Sequence, residues 1–183
     1  VPPVDTESGA PPRFLIVVAA AIALGLAVVV AIVGLTSPPE ENAAAAAGPL
    51  PLVPVPAPQA ASAPCATLLG AVPAALRSAG TELTRRELAA PAPPASAGWG
   101  EDDPVVLRCG LDRPPELTPT AQLRVINGVR WLQVPGAGTA TWFVVDREVY
   151  AALTVPDTAG TGPLQQISDA IAAGLPPAPL RFG

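Results

Sequence analysis

The chain has 183 residues, 26 of them Pro, and a formal net charge of −5; all ten of its basic residues are Arg. It holds no His, no Lys and no Met. This excludes Ser-His-Asp and Cys-His nucleophile systems, His-ligated zinc or haem, Schiff-base chemistry and a Walker-type phosphate Lys, while the acidic balance without a basic patch speaks against nucleic acid as a partner.

Residues 1–13 contain four Pro and three charged side chains and read as a disordered tail. Phe14 to Leu35 follows, 22 residues without a charge, Pro or Asn. At about 1.5 Å rise per residue such a run makes a helix of about 33 Å, against a hydrocarbon core of about 30 Å. Lipid obliges the backbone to bond within its own segment, so a single transmembrane helix over 14–35 is expected, with the lipid bilayer as its partner. Arg13 flanks this run on one side, and residues 36–64 contain no Arg. The positive-inside rule then places the tail in the cytoplasm and the remainder outside, as a single-pass protein of the cell membrane.

A secretory signal peptide is the competing reading, with Ala43 to Ala47 offering a small-residue cleavage site. The length of the apolar run and the acidic residues ahead of it oppose that reading. Cys65 follows Ser62-Ala63-Pro64 far beyond the run, so it is no lipobox cysteine. Inside the run, Ala19, Ala23, Ala27, Ala31 and Gly34 form a stripe of small residues. Such a stripe lets helices approach closely, although abundant Ala alone would produce it.

Residues 36–64 carry eight Pro among small and apolar residues, a spacing that no helix or central strand survives. A Pro/Ala-rich linker is expected, with a reach of at most about 90 Å. The sharper alternative is a docking peptide for a Pro-recognising domain, but the stretch lacks a clean PxxP flanked by Arg.

Residues 65–183 are expected to form one small extracytoplasmic domain. Leu68, Leu69, Val72 and Leu76 predict a helix over 65–78, interrupted at Pro73. A strand is read over 82–88 and a loop over 91–100. Val105 to Cys109 reads as a short buried strand. Asn127-Gly128 lies between two β-rich runs in 122–134, the strongest short hairpin signal there is. A two-residue turn puts Ile126 opposite Val129 and Arg124 opposite Trp131, a geometry for a cation–π contact. It also sets Arg130 beside Val125, an awkward pairing that a longer loop would relieve. Strands over 139–145 and 149–155 flank an Asp146-Arg147-Glu148 turn. Pro163 opens a helix over 163–173 whose stripe is Leu164, Ile167, Ile171 and Leu175, with Gly174 ending it. The order helix, strands, helix is α+β: an antiparallel sheet with helices on one face.

Chemistry-bearing residues are few. Cys65 and Cys109 are the two cysteines, and two thiols in an oxidising compartment pair. Their closed loop contributes about 4 kcal/mol in the chain-entropy model; a redox pair would normally sit closer, as in CxxC. Glu101-Asp102-Asp103 could offer oxygens to Ca²⁺ but lacks the spaced DxDxDG pattern, and a solvated turn before Pro104 explains it. Asp146 and Glu148 could serve glycoside hydrolysis as a carboxylate pair, yet on a turn between strands they read as surface charges. Trp99, Trp131, Trp142, Phe143 and Tyr150 read as core, and a sugar-stacking platform would need one of those rings exposed. No catalytic residue, metal ligand or cofactor is assigned.

Trp99-Gly100, Val105-Val106-Leu107-Arg108-Cys109-Gly110, Leu117-Thr118-Pro119-Thr120 and Asn127-Gly128-Val129-Arg130-Trp131-Leu132 together resemble the actinobacterial family assigned to domain of unknown function 3515. The resemblance covers most of 65–175, and Cys65 with the Arg-Cys-Gly strand is its more specific part. It implies a protein of the actinobacterial cell envelope with one membrane helix and a paired-cysteine domain; it implies no activity. The function expected is that of a membrane-anchored accessory or binding protein, with a membrane-complex or cell-wall protein as its partner. The alternative is a carboxylate-dependent hydrolase of envelope glycans.

Overall fold

The computed structural model describes residues 48–182, which belong to one compact unit, Ala46–Gly183. The tail over 1–13, the apolar run 14–35 and the first part of the Pro-rich stretch lie outside the described residues. Within them, no helix is long and apolar enough to cross a membrane.

The unit is α+β, as expected. Helix α1 (Ala63–Ala71) precedes eight strands: β1 (Ala75–Ser78), β2 (Thr81–Arg86), β3 (Ser96–Trp99), β4 (Val105–Leu111), β5 (Leu123–Ile126), β6 (Val129–Pro135), β7 (Thr139–Val144) and β8 (Tyr150–Pro156). A short 3₁₀ turn (Asp157–Ala159) and helix α2 (Gly162–Gly174) follow. The strands make one antiparallel sheet in the order β1-β2-β3-β4-β8-β7-β6-β5. A meander from β1 to β4 and a second from β5 to β8 thus meet along the β4–β8 pair.

Two elements differ from expectation. The helix read over 65–78 stops at Ala71, and its last residues become β1. Pro73 removes a helical donor, and Ala75 to Ser78 pair with β2 instead, burying Leu76. The loop read over 91–100 contains β3, which is paired on both sides. Its sequence, Ser-Ala-Gly-Trp, has no alternation to read, and the burial of Ala97, Gly98 and Trp99 is imposed by the neighbours.

The Asn127-Gly128 hairpin forms in the expected register, with Ile126 opposite Val129, Arg124 opposite Trp131 and Val125 opposite Arg130. Asn127 at φ 48° and Gly128 at φ 78° supply the two positive φ values a type I′ turn needs, so no longer loop is required. Val125 and Arg130 tolerate each other because both face solvent. The expected Arg124–Trp131 contact is absent. Trp131 is fully buried and its indole N–H donates to Ser168 Oγ at 2.9 Å, while Ser168 donates onward to the Leu164 carbonyl at 2.7 Å. Among the described residues the cations over rings are Arg85 over Trp99, at 6.0 Å, and Arg181 over Tyr150, at 4.9 Å.

Strand periodicity divides the sheet's side chains between two faces. The helix-side face supplies Trp99, Val105, Leu107, Cys109, Ala151, Leu153, Val144 and Trp131 to one core with Leu68 of α1 and Leu164, Ile167 and Ile171 of α2. The opposite face supplies Leu111, Leu132, Tyr150 and Ala152 to a smaller core, completed by Leu117 and, at its margin, by Ala57 and Leu180. Among the described residues, irregular segments rather than helices cover that second face. If Ser168 is a required partner for Trp131, Ser168→Ala should cost about 1–3 kcal/mol through the stranded indole N–H. Urea unfolding measures it, and an unchanged midpoint would refute the role.

Candidate interaction surface

The second face carries the segment that precedes α1 among the described residues. Residues 48–62, the end of the stretch expected to be a linker, are fastened across β3 and β4. The Leu50 N–H donates to the Glu87 carbonyl at 2.8 Å, and the Ala89 N–H to the Leu50 carbonyl at 2.9 Å, around a parallel bridge between Leu50 and Leu88. Arg86 donates to the Gly48 carbonyl, Arg108 Nη2 to the Val53 carbonyl at 3.0 Å, and the Gln59 N–H to the Gly110 carbonyl at 3.0 Å.

The sheet is notched to receive this strap. A Cβ on Gly98 would come 2.4 Å from Leu50 Cδ2, and one on Gly110 would come 2.3 Å from Ala60 N. Gly110 also has φ +84°, a conformation that penalises any L side chain. From Gly48 on, the Pro-rich stretch is therefore a docked strap rather than a spacer. Pro51, Val53, Pro54, Val55 and Pro56 remain exposed along its outer side. Val53 and Val55, at 77% and 45% relative exposure, are two of the four large exposed hydrophobic side chains among the described residues.

Arg108 lies beneath the strap. Its Nε is buried without a partner, and no carboxylate among the described residues pairs with it. Burial lowers its pKa below the ordinary arginine value. Across the sheet its neighbours on this face are Ser96 on one side and Ala152, then Phe143, on the other.

The β7–β8 turn corrects one reading. Glu148 is exposed, but Asp146 is buried and is no surface charge. The reason is its neighbour. Arg147 turns inward, donating from Nη1 to the Asp146 carbonyl at 2.9 Å and from Nη2 to the Gly128 carbonyl at 3.2 Å. Its Nη1 also sits 2.8 Å from Asp146 Oδ1. That approach lies off the hydrogen-bonding direction, since Oδ1 has no directed donor; it is charge pairing. The same turn holds the carboxyl end of the chain: the Ala178 N–H donates to the Asp146 carbonyl at 2.8 Å, Arg181 Nη2 to the Glu148 carbonyl at 2.8 Å, and Tyr150 OH to the Arg181 carbonyl at 3.2 Å. Asp146 and Glu148 thus occupy different environments and do not form a paired site.

Glu101, Asp102 and Asp103 are all exposed on bends, as a solvated turn requires. No group of three or more His, Cys, Asp or Glu among the described residues could hold a metal ion. Trp99 and Trp131 are core, Trp99 donating its indole N–H to the Pro73 carbonyl at 3.0 Å; Trp142 and Phe143 are half-buried. Cys65 on α1 and Cys109 on β4 are joined by a disulfide, with Cα atoms 5.5 Å apart and both residues fully buried.

Sequence reasoning missed the strap because Pro-rich stretches carry no periodicity. The available signals were Leu50, isolated among small residues, and the glycines of β3 and β4.

Two stability measurements test these assignments. Arg147→Ala leaves Asp146 buried without its counter-charge, and a loss of about 3–5 kcal/mol is expected. Arg147→Ala unfolding at the wild-type midpoint would show that the turn does not depend on the pair. Cys109→Ser should cost about 2–4 kcal/mol, and thiol labelling of the native, unreduced protein should be negative. Two freely labelled thiols would contradict the disulfide.

The family model described as protein of unknown function, DUF3515, matches residues 18–180. No curated protein and no solved structure matches the chain.

Proposed function

The chain belongs to the DUF3515 family, whose function is unknown, and from that premise we propose that it is a membrane-anchored accessory protein of the cell envelope that acts by binding. Residues 14–35 cross the cell membrane once, and the disulfide-linked unit lies outside. A membrane-complex or cell-wall protein is the partner. The disulfide supports the outside placement, because such bonds persist in oxidising compartments. The binding reading rests on one observation. The buried ion pair of Asp146 and Arg147 serves the domain's own fold, while the strap offers solvent an uncharged apolar edge. Exposed apolar surface of that kind marks contact sites.

Protease added to intact spheroplasts should remove the folded unit and leave the amino terminus protected. A soluble mature protein beginning near Ala46 would overturn the anchor. In a deletion strain, a variant carrying Asp102→Asn, Asp103→Asn and Glu148→Gln should complement fully, and a secreted unit lacking 14–35 should not. Loss of complementation by the folded amide variant, with complementation by the untethered unit, would replace the binding reading with hydrolysis of envelope glycans.

A further inference from the structure

Pro51-Leu52-Val53-Pro54 is a P-x-x-P sequence, and Pro56 and Pro58 extend it. Pro fixes φ near −65° and has no N–H, so the segment cannot be recruited as a strand and favours the polyproline II conformation. It carries neither helix nor strand in the fold. Along it Pro51, Val53, Pro54, Val55 and Pro56 are exposed, while Leu52 and Ala57 are half-buried.

Polyproline ligands of this kind dock into aromatic-lined grooves, where a cation beside the prolines sets register and orientation. The linear sequence has no Arg near Pro51, but the fold brings one. Arg108, 55 residues away, donates to the Val53 carbonyl. Its Nη1 has no hydrogen bond among the described residues, and no carboxylate neutralises it. Fastening the strap uses one N–H of this guanidinium and leaves the charge unmatched.

We infer that Pro51, Val53, Pro54 and Pro56, together with Arg108, form a composite docking surface for a protein whose aromatic-lined groove is bordered by a carboxylate. This rests on the binding reading above and names its surface and its partner's chemistry. The strap is already held in place by Leu50, Gln59 and Arg108, so ordering it is part of folding and is not charged to association. The absence of charge from Ala43 to Leu76 leaves Arg108 to provide polarity at this edge.

The test is photo-crosslinking of the full-length protein in native membranes, with a benzophenone amino acid at Val53 and, as a control on an equally open valine, at Val125. Val53 is expected to give one discrete adduct that Val125 does not. The partner peptide in that adduct should map beside Trp or Tyr and Asp or Glu. Arg108→Gln keeps a donor for the Val53 carbonyl while removing the charge; it should lower the adduct about tenfold, in keeping with loss of an ion pair at an interface rim. Resistance of residues 48–62 to limited proteolysis confirms that the strap stays docked in each variant. Equal adducts from Val53 and Val125, adducts to lipid or to a second copy, a partner site without aromatic residues, or an adduct unaffected by Arg108→Gln would each overturn the inference. Protease protection of the amino terminus and complementation by the anchored unit do not depend on Arg108 or Val53, so the two readings fail separately.

Discussion

An eight-stranded open sheet has two edges to satisfy, and here a single helix bonds to β1 at one of them and to the β5–β6 turn at the other end of the strand order. Gln166 of α2 accepts the Arg77 N–H through Oε1 and donates from Nε2 to the Arg77 carbonyl, each at 3.3 Å. The side-chain amide thereby makes the pair of bonds that a ninth strand would have made to β1. One residue earlier on the helix, the Gln165 carbonyl faces Asn127 Nδ2 at 3.4 Å, and Asp169 Oδ1 accepts from the same nitrogen at 2.7 Å. Asn127 belongs to the β5–β6 turn, at the other end of the strand order. The sheet must therefore curl until its first and last strands reach one helix. The first turn of α2 comes so close to β1 that a Cβ on Gly162 would lie 2.3 Å from the Arg77 carbonyl oxygen. Unpaired edges invite association with other chains, and this closure blunts β1 without a further strand.

The curl explains the unequal treatment of the two faces. The concave side encloses α2, and its core is formed by regular elements that meet at Trp131, Ile167 and Leu153. Among the described residues the other side has no helix to bury it and is covered by the strap over β3 and β4, the loop carrying Leu117, and the residues around Leu180. Such cover must be fastened by polar contacts because it brings little apolar area of its own. Arg86, Arg108, Arg113, Arg147 and Arg181 each donate to a main-chain carbonyl of a loop or terminal segment. A guanidinium suits this work, having several donors in a planar fork at the end of a long apolar stem. The use of Arg alone as the basic residue thus has a structural counterpart.

Local signals carried much of this fold. The Asn127-Gly128 turn, the Leu164–Ile167–Ile171 stripe and the Val105 run are each legible because one short segment contains its own periodicity or turn chemistry. β1 and β3 were hidden for the opposite reason. Ala75 to Ser78 and Ser96 to Trp99 become strands through partners far along the chain, and their composition gives no sign of those partners. The pairing of Cys65 with Cys109 was readable from count and compartment, whereas the burial of Asp146 was not. A carboxylate on a turn looks solvated until the adjacent Arg is seen to point inward. The strap illustrates the same limit: its docking depends on two glycines in other strands, and a missing side chain leaves no pattern in the sequence.

The strap and the disulfide also define how the unit carries tension. A pull on the chain at Gly48 meets the fastenings in series, first at Gly48 and Leu50, then at Val53, then at Gln59. Each such bond contributes about 0.5–1.5 kcal/mol, so they yield one at a time and not together. Peeling residues 48–62 releases up to about 50 Å of chain while the sheet stays intact. The extension then halts at Cys65, where the covalent bond to Cys109 hands the load to β4. That strand lies in the middle of the sheet, paired along both sides, and must be sheared from two neighbours before it moves. The domain is thus built with a compliant leader and a stiff stop, and the position of one cysteine pair sets the boundary between them.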